Sequence, residues 1–242
     1  NNNVPSIALE ESSIDIELSG NATETFSVEI SNDGEEGSVI SFVTYPGKDF
    51  MFNEKFSDGN FPAGWSSTTN ADCDNPGWFV SEDASSSYFS IPLSDGYYIA
   101  TNDDACGSSS DGSSDMLYTN SITLPEGQVE LSFNRYFTAG FSQTFHIYVS
   151  TDNWTTYNEV HTLDYGDGNE EWIRETVNLY QYSGQTIDVA FHSNDNGNWA
   201  SGVAMDDIQL GITPFWITSG SEGIVNYQET ETFEFSINTQ GL

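Results

Sequence analysis

The 242-residue sequence predicts an all-β protein whose antiparallel sheets pack as a sandwich or jelly roll. Three observations carry that expectation. Aromatic residues make up 14% of the chain, alongside many Ser, Thr, Asn and Gly, a mixture that favours strands and loops over helices. Period-2 alternation recurs, with Phe26, Val28 and Ile30 on one face, then Phe145, Ile147 and Val149, then Ile187, Val189 and Phe191. No amphipathic helical pattern longer than two turns stands out.

Taken in order, each alternating run reads as a half-buried strand bounded by turn chemistry. Further strands are expected at 130–137 (ELSFNRYF), 175–179 (ETVNL), 203–210 (VAMDDIQL) and 231–238 (ETFEFSIN), separated by Gly, Asn, Asp and Ser clusters. The flanks differ from the middle. Residues 5–45 read as short strands around an NDGEEG turn at 32–37, and residues 212–242 carry two more strands around SGSEG. Neither flank has the roughly seven strands a sandwich needs. Residues 1–48 and 212–242 are therefore expected to pair into one immunoglobulin-like sandwich, with the jelly roll, residues 49–211, inserted in one of its loops, where few contacts would be broken.

Charge excludes several function classes. Thirty-eight acidic residues face only four basic ones, Lys48, Lys55, Arg135 and Arg174, for a formal charge of −34. Such a surface repels nucleic-acid phosphates and anionic lipid, and its natural counterparts are cations or a saline medium that screens over roughly 10 Å at 0.1 M salt. The aromatic content argues against disorder. No run of 18 apolar residues is present, so no membrane span is expected, and the start at Asn1 reads as a mature or excised fragment. Cys73 and Cys106 lie in Ser, Asp and Gly-rich stretches without CxxC spacing. They read as one disulfide, against two separate thiols in a reducing compartment, and a thiol titration of the unreduced protein decides between them.

Five spaced segments carry a family resemblance: EKFSDGNFPAGW at 54–65, YYIATNDDAC at 97–106, SSDMLYTNSITLP at 113–125, YVSTDNWTTY at 148–157 and GVAMDDIQL at 202–210. Residues 50–211 thereby resemble the cleaved-adhesin, or choice-of-anchor J, jelly rolls, which are similar in plan to the MAM domain and to the adhesin modules attached to gingipain proteases. The resemblance implies a bacterial, secreted or surface-displayed, non-catalytic module with structural calcium. The segments ISNDGEEG at 30–37 and PFWITSGSEGIV at 214–225 resemble two pieces of a single bacterial immunoglobulin-like repeat, whose final strands would follow Gly241.

Calcium takes about six to eight oxygen ligands, so carboxylates must converge from separate segments. The candidates are Glu54, the run Asn102, Asp103 and Asp104, the loop acid Asp115, and the pair Asp206 and Asp207. In jelly rolls of the resembled kind the first and last strands run side by side, which implies that Glu54 stands near Asp206 and Asp207. Adjacent carboxylates repel unless something positive lies between them. In the bland alternative, one of that pair faces solvent by alternation while the other caps a turn. The DYGDGNEE segment at 164–171 lacks the DxDxDG spacing of a calcium loop and reads as a turn.

Trp154, Tyr157 and Trp199 lie near loop ends, where a ring face could stack on a sugar or on a partner's side chain, whereas Trp65 and Trp78 read as core. Catalytic motifs are missing: the sequence holds no GxSxG, HExxH or GxxxxGK[ST]. His146, His161 and His192 have no partnered nucleophile in sequence, and His146 and His192 alternate opposite to apolar residues and so point away from the core. The expectation is thus a non-catalytic extracellular calcium-binding adhesion or substrate-recognition module, secreted or at the cell surface. Its ligand would be an extracellular protein or glycan, and its neighbours other domains of a larger polypeptide. A carbohydrate-binding module appended to a secreted hydrolase, a calcium-stiffened structural spacer and a glycoside-active enzyme are the alternatives.

Overall fold

The structure is a computed structural model that describes residues 4, 6–9, 23–43, 49–71, 77–92, 96–107, 112–138, 141–213 and 222–238. The chain divides into two compact units, residues 1–48 with 213–242 and residues 49–212.

In the larger unit the strands are β4 (Asp49–Glu54), β5 (Ser66–Thr68), β6 (Phe79–Ser81), β7 (Tyr98–Asn102), β8 (Ser114–Tyr118), β9 (Ile122–Thr123), β10 (Gln128–Phe137), β11 (Thr144–Ser150), β12 (Asn158–Leu163), β13 (Ile173–Asn178), β14 (Thr186–Asn194) and β15 (Gly202–Thr213), and a short α-helix, α1, spans Asp103–Cys106. Among the described residues they form two six-stranded antiparallel sheets, one ordered β13-β10-β15-β7-β6 with β4 also on β15, the other β12-β11-β14-β8-β5 with β9 also on β14. The arrangement is a jelly-roll sandwich, and the alternating apolar residues explain it. Phe145, Ile147 and Val149 of β11 and Ile187, Val189 and Phe191 of β14 face Leu131, Phe133 and Phe137 of β10 across one core. Trp65 and Trp78 join that core, Trp65 lying over Phe191 at 6.4 Å and 26°.

The last strand changes face partway along. Val203 and Met205 enter the core at odd positions, whereas Ile208, Leu210 and Ile212 enter it at even ones. An extra residue must be taken up between them, and Asp207, at φ 48°, sits at the switch. The alternation assumed from sequence therefore fails at Asp206 and Asp207: Asp206 is buried and Asp207 half-buried, with neither on a plain solvent face. At the start of the same strand Gly202 (φ 142°) passes so close to Thr101 that an added Cβ would strike the Thr101 carbonyl oxygen.

The two sheets differ in what covers their outer faces. Tyr98, Ala100, Tyr136 and Ala204 on the outside of the β10-β15-β7 sheet are buried under Ala84, Phe89 and Ile91, which form a second small core. Trp172 packs against that core and donates its indole N–H to the Pro92 carbonyl at 3.2 Å.

In the smaller unit the strands are β1 (Ile7–Leu9), β2 (Thr23–Asn32), β3 (Val39–Val43), β16 (Glu222–Asn226) and β17 (Thr230–Asn238). Among the described residues they make a three-stranded sheet ordered β1-β2-β17 and a two-stranded one of β3 and β16, so each sheet joins the two ends of the sequence. Ile40, Val225 and Phe233 form its core, with Ile30 against it. Buried Asn32 locks the predicted 32–37 turn: its amide donates to the Ser38 and Val225 carbonyls at 3.2 and 3.3 Å and its oxygen accepts from Gly34 N at 3.1 Å. Residues 214–221 of the PFWITSGSEGIV segment lie outside the described residues.

Candidate functional site

The outer face of the β12-β11-β14-β8-β5 sheet carries a run of half-buried aromatic and soft side chains. Strand alternation puts them there. With Phe145, Ile147 and Leu117 turned inward, His146 and Tyr148 of β11, His192 of β14 and Met116 and Tyr118 of β8 must point outward. The β11–β12 hairpin then folds Trp154 and Tyr157 over the same face. Tyr118 meets Trp154 edge to face at 5.2 Å, and Tyr148 meets Tyr157 at 5.1 Å. His146 lies parallel to Tyr148 at 5.9 Å and 8°. Together Met116, Tyr118, Tyr148, Trp154, Tyr157 and His192 line a depression of about 290 Å³.

The hairpin is held in a costly conformation. Asn153 and Trp154 are consecutive left-handed residues, at φ 54° and 65°, which is unfavourable for a bulky side chain. Asp152 organises the turn. Its carboxylate accepts from Thr156 N and Thr156 Oγ1, both at 2.8 Å, and from Ser150 Oγ at 3.0 Å, while Trp154 N donates to Ser150 Oγ at 2.9 Å. Those bonds, the Thr156 amide first, hold the Asp152 carboxyl below its usual pKa. Strain of this kind persists only where the surroundings over-determine it, and it concentrates at ligand-contacting sites.

The polar groups of the depression are set for neutral chemistry. Burial first, and His146 second, push the His192 imidazole down to about 4, so it is uncharged near neutrality. Burial and then Glu159 raise the Tyr148 phenol, which stays protonated. Sequence spacing gave no nucleophile to the histidines, yet the cross-strand pairing of β8 and β14 brings Ser114 Oγ to 2.7 Å from His192 Nε2. A working dyad needs a base oriented by a third group. His192 Nδ1 is buried without a hydrogen-bond partner, and an imidazole this acidic is a poor base at pH 7.

The sequence-predicted carboxylates separate into three environments. Glu54 is opposite Ile208 in the β4–β15 pairing and accepts from Phe56 N at 2.6 Å. Asp206 accepts from Asp207 N at 2.7 Å, and Asp207 is met by Lys55 Nζ at 3.3 Å and Asn134 Nδ2 at 3.0 Å. The positive charge this pair required is thus supplied by Lys55. In the Asn102, Asp103 and Asp104 run the side chains diverge. Asn102 caps α1 by accepting from Ala105 N at 2.9 Å and donates to the Ala84 carbonyl. Asp104 accepts from Ser86 Oγ at 2.5 Å and Tyr88 N at 2.8 Å, whereas Asp103 turns the other way, to Ser113 Oγ at 3.0 Å and Ala200 N at 2.6 Å.

Asp115 lies within β8, not in a loop, and is only 5% exposed. Buried Asp103 and Asp195 stand close enough to act on its charge. Burial first, and then those two carboxylates, push Asp115 up to about 6 against an opposing bond from Thr69. Asp195 accepts from Gly112 N, Ser113 N and Gly197 N, each at 2.8 Å, but Asp115 Oδ1 is buried with no partner. Asp195 was missed in sequence because NDNGN reads as a plain turn. Among the described residues no three His, Cys, Asp or Glu side chains converge as a ready metal-ligand set.

Trp199 does not join Trp154 and Tyr157, and packs instead on Tyr88 and Phe141. The 164–171 segment is a turn closed by a 3-10 helix at 165–167, with Asp164 and Asp167 capping each other's backbone. Cys106 ends α1 and is not free, while Cys73 lies outside the described residues. No helix among the described residues is long and apolar enough to cross a membrane.

The K3 cleaved adhesin domain of Lys-gingipain from Porphyromonas gingivalis is similar to this chain at TM-score 0.51 and 19% identity, over 68% of this chain and 99% of that one. The K1 domain of the same protease aligns at TM-score 0.47 and 19% identity over 72% and 98%. TmCBM61, solved with β-1,4-galactotriose, aligns at TM-score 0.45 and 18% identity over 65% and 93%. No curated protein matches the sequence. Residues 55–214, more than half of the chain, match the MAM domain, meprin/A5/mu, and the chain therefore belongs to the MAM domain family.

Proposed function

We propose that the chain is a non-catalytic extracellular recognition module of a larger polypeptide, and that it binds a neutral glycan on the Tyr118, Tyr148, Trp154, Tyr157 and His192 face. One observation carries the reading: an aromatic depression on an open sheet face, completed by a Trp held in a left-handed turn. Ring faces cover the apolar side of a pyranose, while the Tyr148 and Ser114 hydroxyls supply donors and acceptors at its edge, His192 orienting the latter. A formal charge of −34 repels uronic or sulfated sugars and leaves neutral ones unopposed. Likeness to a cleaved adhesin domain is consistent with recognition, but what it supports is the fold. Titration with a panel of neutral β-linked oligosaccharides tests the proposal, which fails if Trp154→Ala and Tyr148→Ala bind as the parent does.

Calcium enters the proposal at Asp103, Asp115 and Asp195. Asp115 has one orphaned buried oxygen, and burial first and then Asp103 and Asp195 raise its pKa, so a divalent ion beside it would relieve that repulsion; its ligands would have to be drawn together, because these carboxylates form no ready ligand set. Glu54, Asp206 and Asp207 fit it less well, because Lys55 already supplies positive charge at Asp207. A melting temperature that rises with calcium in the parent but not in Asp115→Asn supports this assignment, and equal rises sink it. The Cys73–Cys106 disulfide and the immunoglobulin-like character of the smaller unit belong to the same proposal. A thiol titration of the unreduced chain tests the former.

A further inference from the structure

We propose a second ligand site, independent of the glycan face, in the cleft of about 420 Å³ walled by Tyr88 and Phe141, and that it takes a cationic side chain, Arg or Lys, of an extracellular partner. The two walls are rings at loop tips that gain little from burial. Tyr88 is 68% exposed and Phe141 58% exposed. Both lean on Trp199, Tyr88 at 5.2 Å and 90° and Phe141 at 3.9 Å. Phe141 is also left-handed, at φ 63°, a conformation that costs a bulky residue stability.

The sequence-predicted Asp103–Asp104 run explains how these walls stay in place. Asp104 fixes the Tyr88 loop through Tyr88 N and Ser86 Oγ, and its own N–H donates to the Ser201 carbonyl at 3.2 Å. Asp103 holds Ala200 N, beside Trp199, and Ala200 in turn bridges Phe141. The cleft is thus preorganised from α1, and these acids act as positioning residues for it.

Charge selects the occupant. Glu170 lines the cleft, where burial first and its charge second raise the Tyr136 phenol, and it pairs with no Lys, Arg or His among the described residues. The cleft has no basic side chain in its lining, and Thr138 Oγ1 beside it is buried without a partner. Exposed rings around one carboxylate, on a chain of formal charge −34, attract a cation with an apolar stem, through cation–π contact and the overall field. An anionic ligand is repelled, and a neutral sugar gains the rings but nothing from the field.

The test uses the full chain, N-acetyl-arginine methylamide and its uncharged citrulline counterpart, with the Trp199 indole N–H resonance as readout, assigned by Trp199→Phe. The arginine probe should move that resonance saturably, and Tyr88→Ala should abolish the effect without lowering the melting temperature. Glu170→Gln should weaken binding about fivefold or more, and raising salt from low to about 0.5 M should weaken it further. Equal binding of the citrulline probe or of neutral oligosaccharides, with no salt dependence, overturns the cationic assignment. An unmoved Trp199 resonance at millimolar arginine probe overturns the site.

Discussion

Replacing Asp115 with Asn in chelator should make the protein more stable at neutral pH, although it removes a native buried side chain. The folded chain holds the Asp115 proton more tightly than the unfolded chain, whose carboxyl has the ordinary value of 3.8 against about 6 in the fold. Folding therefore takes up a proton between those two values, and the stability contributed by this group falls as pH rises through the window from about 4 to about 6. At about 1.4 kcal/mol per pKa unit, the shift costs the parent about 3 kcal/mol above pH 6 and nothing below pH 4. Asn keeps the acceptor used by Thr69 and removes the negative charge that Asp103 and Asp195 repel. Urea unfolding of parent and Asp115→Asn in EDTA, at steps from pH 4 to 8, reads the difference. The two should coincide near pH 4 and diverge by about 3 kcal/mol by pH 6.5, roughly 2–4 °C in melting temperature for each kcal/mol. Parallel curves, or a variant less stable at pH 7, would refute the picture of a buried Asp115 that is costly to ionise beside Asp103 and Asp195.

Four other outcomes follow from particular contacts. Arg135→Met should cost about 3 kcal/mol, because it strands Glu175, now 2.9 Å from the buried guanidinium; Arg135→Met with Glu175→Leu should recover most of that loss, and denaturant midpoints decide. Trp154→Gly should keep or raise the melting temperature, since Gly accepts φ 65° without strain, yet abolish glycan binding; a clear loss of stability contradicts the strained-turn account. Glycan affinity should fall as His192 protonates near 4 beside His146, Ser114, Met116 and Tyr148, whereas an NMR titration of the His192 ring itself with a midpoint near 6.5 would contradict its burial. Gly202→Ala should unfold the larger unit at a markedly lower temperature, because a Cβ there meets Thr101 backbone that cannot yield.

The sandwich was legible because alternation is a local property. The runs around Phe145, Ile187 and Leu131 each declare an inner face, and the structure uses those faces for one core. Short strands such as β5 (Ser66–Thr68) and β6 (Phe79–Ser81) were not legible, being too brief for any period to register. Alternation also misled once, at Asp206 and Asp207, where the face switch depends on a left-handed residue that no spacing rule reveals. For the site, Trp154 and Tyr157 stood out as loop aromatics, but their partners Met116, Tyr118 and Tyr148 lie on strands whose adjacency is set by long-range pairing. The carboxylates show the same limit. Asp103 and Asp104 are consecutive, yet α1 turns them toward different walls, while Asp115 and Asp195 are eighty positions apart in sequence and meet in the fold.

The central claim is that the outer face of β11, β14 and β8 is the recognition surface. Calorimetric titration of a neutral oligosaccharide panel into the parent, Tyr148→Ala, Trp154→Ala and Tyr88→Ala tests it most directly. The account predicts that at least one neutral glycan binds the parent, that the Tyr148 and Trp154 substitutions each weaken it by about tenfold or more, close to 1.4 kcal/mol or above, and that Tyr88→Ala binds as the parent does. Binding that survives both platform substitutions, or a parent that binds no neutral glycan at all, would contradict it.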